Sequence, residues 1–144
     1  MNGYVPERIS TYAIEKEFES YAVYSDALGM TYQQAGHEFY VLVFPTQDVS
    51  WCYDATTGLW HRRASRDTQN VLHRERSNCT AFFQGKSFFG DFERGLLYEA
   101  SLSTFTDYSD IGNPIVRMRR CRHLTKDLKR VYYHDFQIQF EPGV

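Results

Sequence analysis

YDATTGLWHRRAS (residues 53–65) and GDFERGLLYEASL (residues 90–102) share one frame: an aspartate, three residues, a glycine and a leucine. Asp54 leads to Gly58 and Leu59; Asp91 leads to Gly95 and Leu96, 37 residues further on. The spacing is that of a hairpin. An aspartate at the end of a strand accepts hydrogen bonds from the backbone amides of the following turn. A glycine four residues later supplies the positive φ that closes a turn-plus-bulge loop. Two carboxylates in equivalent turns are therefore structural fittings, not a catalytic pair.

Strands flank both turns. EFYVLVF at 38–44 reads as a buried strand ended by Pro45, SWCYD at 50–54 as a second, and LWHRRAS at 59–65 as a third. After a polar stretch at 66–78, expected to be a loop, the pattern restarts. CTAFFQG reads as a strand, GK as a turn, SFFGDF as a strand, ERG as a turn and LLYEASL as a strand. Residues 106–114 are rich in turn formers, 115–123 read as an extended strand, and 131–140 alternate, with Phe136, Ile138 and Phe140 on one face. Ahead of all this, Ile14, Phe18 and Tyr21 or Ala22 recur at helical spacing within residues 9–21, with Ser10 or Thr11 able to cap the start. So short a helix is marginal alone and must dock on something.

The expected fold is mainly β, with one short N-terminal α-helix at 9–21. Blade-like units fall at 36–65 and 79–105, and further strands at 115–140, in a single domain spanning 1–144. Units of several short antiparallel strands repeating at about 40 residues mark propeller blades, and a plain antiparallel sheet or sandwich fits the same pattern. A closed propeller needs about four to eight blades, so this chain holds part of one. Composition agrees: eleven Tyr, eleven Phe and two Trp suit pleated surfaces.

No signal peptide is recognisable in MNGYVPERIS, and the longest apolar run, FYVLVF, has strand length. Cys52, Cys79 and Cys121 form no C-x-x-C pair, so neither a zinc site nor a redox motif is indicated. Residues 1–48 hold seven acids and two bases, net −5; residues 49–144 hold eleven acids and fourteen bases, net +3.

Taken in order, these segments resemble the packaged-DNA stabilisation proteins of short-tailed bacteriophages, the tail-hub proteins that close the head. The resemblance lies in RISTYAIEKEFESY (8–21), GHEFYVLVFPTQDVSWCYDATTGLWHRRAS (36–65) and GDFERGLLYEASLSTFTD (90–107), with PIVRMRRCRH and the FEPGV ending also fitting. It implies a β-propeller body, a non-enzymatic structural role in the virion tail, and synthesis in the bacterial host cytoplasm. It also implies a ring of copies that meets portal-adaptor, tail-needle and tailspike proteins and helps retain the genome. Members of that family are several times longer, so the chain resembles an interior-to-C-terminal portion.

None of the five histidines sits in an H-E-x-x-H or an i, i+4 helical pair, and GKSFFG lacks phosphate-loop spacing. No catalytic residue, metal ligand or cofactor is expected. Arg117, Arg119, Arg120, Arg122, Lys126, Lys129 and Arg130 form a basic run. On a strand it would charge both faces, which suits a protected edge, a subunit interface or contacts to DNA phosphates. Two alternatives are a nucleic-acid-binding module built on that run, and a kelch-like module reading glycans or peptides with Trp51, Trp60 and Tyr98.

Overall fold

The computed structural model describes residues 5–107, 113–120, 127, 129, 131–135 and 137. It is mainly β with one helix, α1 (Tyr12–Glu19). Thr11 caps the helix, its hydroxyl accepting from the Ile14 amide at 3.4 Å. Arg8 and Ser10 both bind the Glu15 carboxylate of the first turn. Ile14 and Tyr21 are buried, and Phe18 and Tyr21 pack their rings on the sheet below.

Four strands make that sheet: β1 (Leu28–Gln34), β2 (His37–Phe44), β3 (Val49–Asp54) and β4 (Leu59–Arg63), an antiparallel meander in sequence order. β1 lies outside the expected units. Its sequence, LGMTYQQ, is half polar because only Met30 is buried; pairing with β2 holds the rest. Gly29 leaves room for the Tyr40 ring, whose hydroxyl lies 2.9 Å from where a Cβ would stand. The ring covers the bare backbone, as aromatic residues do for glycines at sheet edges.

The stretch expected as a loop at 66–78 contains a small hairpin of β5 (Ser65–Arg66) and β6 (Leu72–His73). Its turn is organised by Asp67, which accepts from the Gln69 and Val71 amides at 2.9 and 2.8 Å. The second sheet is β7 (Ser77–Phe83), β8 (Lys86–Asp91) and β9 (Leu97–Glu99). The β7–β8 turn is Gln84–Gly85, both at positive φ, so Lys86 opens β8 rather than closing the turn. A short pair, β10 (Thr106–Asp107) and β11 (Asn113–Pro114), follows.

The extended strand expected from 115 is corrected: residues 115–120 form no strand, and residues 121–123 lie outside the described residues. Val131–Asp135 and Gln137 are likewise not in strands, while Phe136, Ile138 and Phe140 fall outside the described residues. Residues 115–120 are all exposed, Ile115, Val116 and Met118 included, and a lone extended segment with no sheet to pair or pack on has nothing to hold it.

Three layers result. One face of the first sheet carries α1, through Phe44, Trp51 and Trp60. The opposite face packs on the second sheet. The core between the sheets is Met30, Val41, Val43, Cys52 and Phe89, with Tyr32, Phe39 and Tyr98 against it. The sheets approach most closely where β1 meets β7, with Tyr32 and Phe89 edge to face at 5.0 Å.

Candidate functional site

The repeated aspartates sit at matching places. Asp54 ends β3, and its carboxylate accepts from the Thr56 and Thr57 amides at 3.0 and 3.4 Å and from the Thr57 hydroxyl at 2.8 Å. Asp91 ends β8 and accepts from the Glu93 and Arg94 amides at 2.7 and 3.2 Å. Gly58 and Gly95 close the turns at φ +70° and +60°. The residue after each aspartate donates to the preceding strand: Ala55 to the Glu38 carbonyl at 2.8 Å, Phe92 to the Arg76 carbonyl at 3.0 Å.

The two carboxylates differ in their side-chain partners. Asp54 faces His37 Nδ1 at 2.8 Å. The Asp91 side chain has no solvent exposure; it accepts from Arg76 Nε at 2.8 Å and from the Tyr98 hydroxyl at 2.6 Å. Burial alone would raise the Asp91 carboxyl, but Arg76, Tyr98 and the two turn amides reverse this and hold it far below the usual carboxylate range. Arg76 also pairs with Glu93, and its guanidinium lies with that of Arg74 over the Phe92 ring. Neither Arg76 nor Arg74 was signalled by any sequence spacing, since Arg76 and Asp91 stand fifteen residues apart.

A second polar knot joins the small hairpin to the first sheet. His73 Nδ1 meets Asp48 at 2.6 Å and Nε2 meets Asp67 at 3.4 Å. The hydrogen bond to Asp48, and then that to Asp67, raises the His73 pKa. Asp48 also accepts from the Arg74 amide at 2.9 Å. A third knot lies at the far end of the core: Arg63 reaches Glu75 at 3.1 Å and the Tyr32 hydroxyl at 3.0 Å, and the Glu75 amide donates to Ser50.

His37 and His73 are each paired to a carboxylate, but both rings are roughly two-fifths exposed; His37 ties the start of β2 to the end of β3, and His73 ties β6 to the turns at Asp48 and Asp67. A His–Asp pair works as a general base when it faces a nucleophile held in a water-excluding cleft. Among the described residues no group of three or more His, Cys, Asp or Glu could hold a metal ion. Cys52 is buried in the core, which pushes its thiol up to about 11; Cys79 is exposed.

The aromatic residues considered for ligand reading are engaged in packing. Trp51 meets Phe18 edge to face, lies under Arg62 and donates to the Tyr21 hydroxyl at 3.0 Å; Trp60 donates to the Ile9 carbonyl at 2.9 Å. Tyr98 is spent on Asp91. An open cleft of about 570 Å³ lies instead between β1–β2 and β7, bordered by Tyr32, Phe39, Glu38, Thr80 and Phe82. In the basic run, Arg117, Arg119, Arg120 and Lys129 are exposed, whereas Arg122, Lys126 and Arg130 lie outside the described residues. No helix among the described residues is long and apolar enough to cross a membrane.

No family model, curated protein or solved structure matches the chain.

Proposed function

We propose that the chain is a non-enzymatic building block: two blade-like sheets of a propeller-type arc, working through protein–protein interfaces in the head-to-tail junction of a short-tailed phage virion. The carrying observation is the wedge between the sheets. Each meander starts at the line where the sheets converge, β1 for one and β7 for the other, and runs outward from it. Blades around an axis are built this way, with first strands innermost and a long connection from the outer strand of one blade to the inner strand of the next. Here that connection runs from β4 to β7 and carries the small hairpin. An arc of two blades leaves an apolar outer face, and such faces are covered by other protein. The ordered resemblance to tail-hub proteins supplies the setting.

Light scattering coupled to size exclusion, over a range of concentrations and with candidate portal-adaptor, tail-needle and tailspike proteins added, tests this reading. A discrete ring-sized assembly or a stoichiometric complex is expected. A monomer that ignores every one of those partners would overturn the virion role.

A further inference from the structure

The two hairpin units differ by one strand. Phe39 pairs with Asp54 and Ser77 with Asp91, so β2 corresponds to β7, β3 to β8 and β4 to β9. β1 covers the other edge of β2, whereas among the described residues no strand pairs with the other edge of β7. In an antiparallel ladder successive residues turn their N–H and C=O alternately toward the partner and away from it. The two-residue turn at Gln84–Gly85 makes Phe83 and Lys86 a hydrogen-bonded pair, so Thr80 and Phe82 turn their backbone groups to the free edge. On β1 the Gln33 carbonyl points away from β2 and accepts from the Ser87 hydroxyl at 3.3 Å, and Thr31 shares its side. Thr31, Gln33, Thr80 and Phe82 all border the open cleft of about 570 Å³.

Two features of the cleft narrow its occupant. Phe82 stands on the same face of the second sheet as Phe89, yet is 71% exposed. Glu38 is the one charged side chain among the lining residues; among the described residues its carboxylate meets the Gln33 amide at 3.0 Å and no cation. The occupant is therefore an extended segment with alternate apolar side chains and a base.

The chain itself carries such a segment. Residues 115–120, IVRMRR, join no strand, and all six are exposed. Its start is anchored, the Ile115 amide donating to the Phe105 carbonyl at 2.8 Å. When it is extended, Val116 and Met118 fall on one side and Arg117 and Arg119 on the other. None of these residues lines the cleft of its own chain.

We infer that residues 115–120 of a second copy enter this cleft and add to β7 as an antiparallel strand, with Val116 and Met118 opposite Thr80 and Phe82 and an arginine beside Glu38. Main-chain bonds to Thr80 and Phe82 hold the segment, and its alternate side chains set which segment is taken. Donor and acceptor are different patches of one chain, so the contact is head-to-tail and propagates into a ring or a filament. The inference deepens the assembly reading above and rests on it only in that copies of the chain meet.

The test uses the full chain and its Val116→Pro, Met118→Pro variant, in which the donor segment cannot pair. By light scattering the wild type should associate as concentration rises and the variant should stay monomeric, with unchanged melting because both positions lie outside every strand. A fluorescein-labelled peptide of residues 113–120 should saturate on the variant in anisotropy. N-methylation of the peptide at Val116 and Met118, whose amides face β7, should weaken it at least about tenfold, and N-methylation at Arg117 and Arg119 by less than about threefold. Glu38→Lys in the variant should reverse preference toward a peptide carrying Arg117→Glu and Arg119→Glu. The inference fails if the peptide does not saturate or if the two methylated peptides bind alike. Association that the proline variant leaves intact would overturn it while self-assembly stands. A wild type that is monomeric at every concentration would overturn it together with self-assembly.

Discussion

Replacing Asp91 by asparagine tests whether the second hairpin is held by charge or only by shape. The carboxylate takes five hydrogen bonds: the Glu93 amide at 2.7 Å, the Arg94 amide at 3.2 Å, Arg76 Nε at 2.8 Å, Arg76 Nη2 at 3.5 Å and the Tyr98 hydroxyl at 2.6 Å. Asparagine keeps one carbonyl oxygen for the turn amides. Its NH2 group then faces the Arg76 and Tyr98 donors, so Arg76 loses its buried counter-charge and keeps only Glu93. Breaking a buried ion pair from one side costs about 3–5 kcal/mol. With Glu93 retained, about 3 kcal/mol is expected, which at about 2 kcal/mol per molar urea moves the unfolding midpoint down by about 1.5 M.

The pH dependence has a definite sign. A carboxyl held low in the folded state contributes stability above its unfolded value, about 3.9, and that contribution is lost as pH falls through this value toward the folded one. The gap between wild type and Asp91→Asn should therefore narrow below about pH 4. Asp54→Asn, in the equivalent turn of the first sheet but facing the exposed His37, should shift the midpoint less. Urea titrations followed by far-ultraviolet circular dichroism at pH 7 and pH 3 decide the matter. Equal midpoints for the two variants, or an Asp91→Asn gap that persists undiminished at pH 3, would refute the reasoning.

Phe18→Ala should cost about 2–3 kcal/mol and red-shift tryptophan emission, because Phe18 seats α1 over Trp51 and Trp60; unchanged emission would mean the helix holds without it. His73 has its pKa raised by Asp48 and Asp67, so the small hairpin gains stability that is complete below the free-imidazole value and lost as pH rises through the folded one. Hydrogen exchange in residues 65–73 should accelerate over that range in wild type and be pH-flat, after correction for intrinsic rates, in His73→Ala. In the native chain a thiol reagent should modify Cys79 and spare Cys52 until unfolding, as peptide mass spectrometry can read.

The hairpin frame could be read from sequence because its parts are local. Asp54, Gly58, Asp91 and Gly95 act within five residues of one another, and so do Thr11 and Ile14 at the helix start. β1 escaped because its stability comes from β2 and from Tyr40 covering Gly29, not from an apolar pattern of its own. The β5–β6 hairpin escaped because polar contacts hold it, with His73 reaching back to Asp48 across twenty-five residues. The strand expected at 115–123 failed over its described part, 115–120, for the opposite reason: extended-looking residues found no partner strand. The Arg76–Asp91 tie belongs to the same class as His73, a contact between distant positions that no spacing announces.

The connection between the sheets has a consequence for how the chain can be divided. Every ladder within each sheet joins strands that are neighbours in sequence, so each meander can zip from its own turns in microseconds without waiting for the other. The halves are joined by side-chain packing of Met30, Val41, Cys52 and Tyr32 against Phe89, by the Arg63–Glu75 tie, and by hydrogen bonds from His73, Arg74 and Glu75 to Asp48 and Ser50 and from Ser87 to the Gln33 carbonyl. No backbone ladder crosses from β1–β4 to β7–β9. A cut in the turn at Asp67–Asn70 severs no strand of either sheet, and leaves two pieces whose reunion must rebuild the short β5–β6 ladder and the bonds of Asp48 and Ser50 to the Arg74 and Glu75 amides as well as the packing between the sheets. A chain organised in this way is a natural split reporter, with the small hairpin between its halves serving as the clasp that rejoins them.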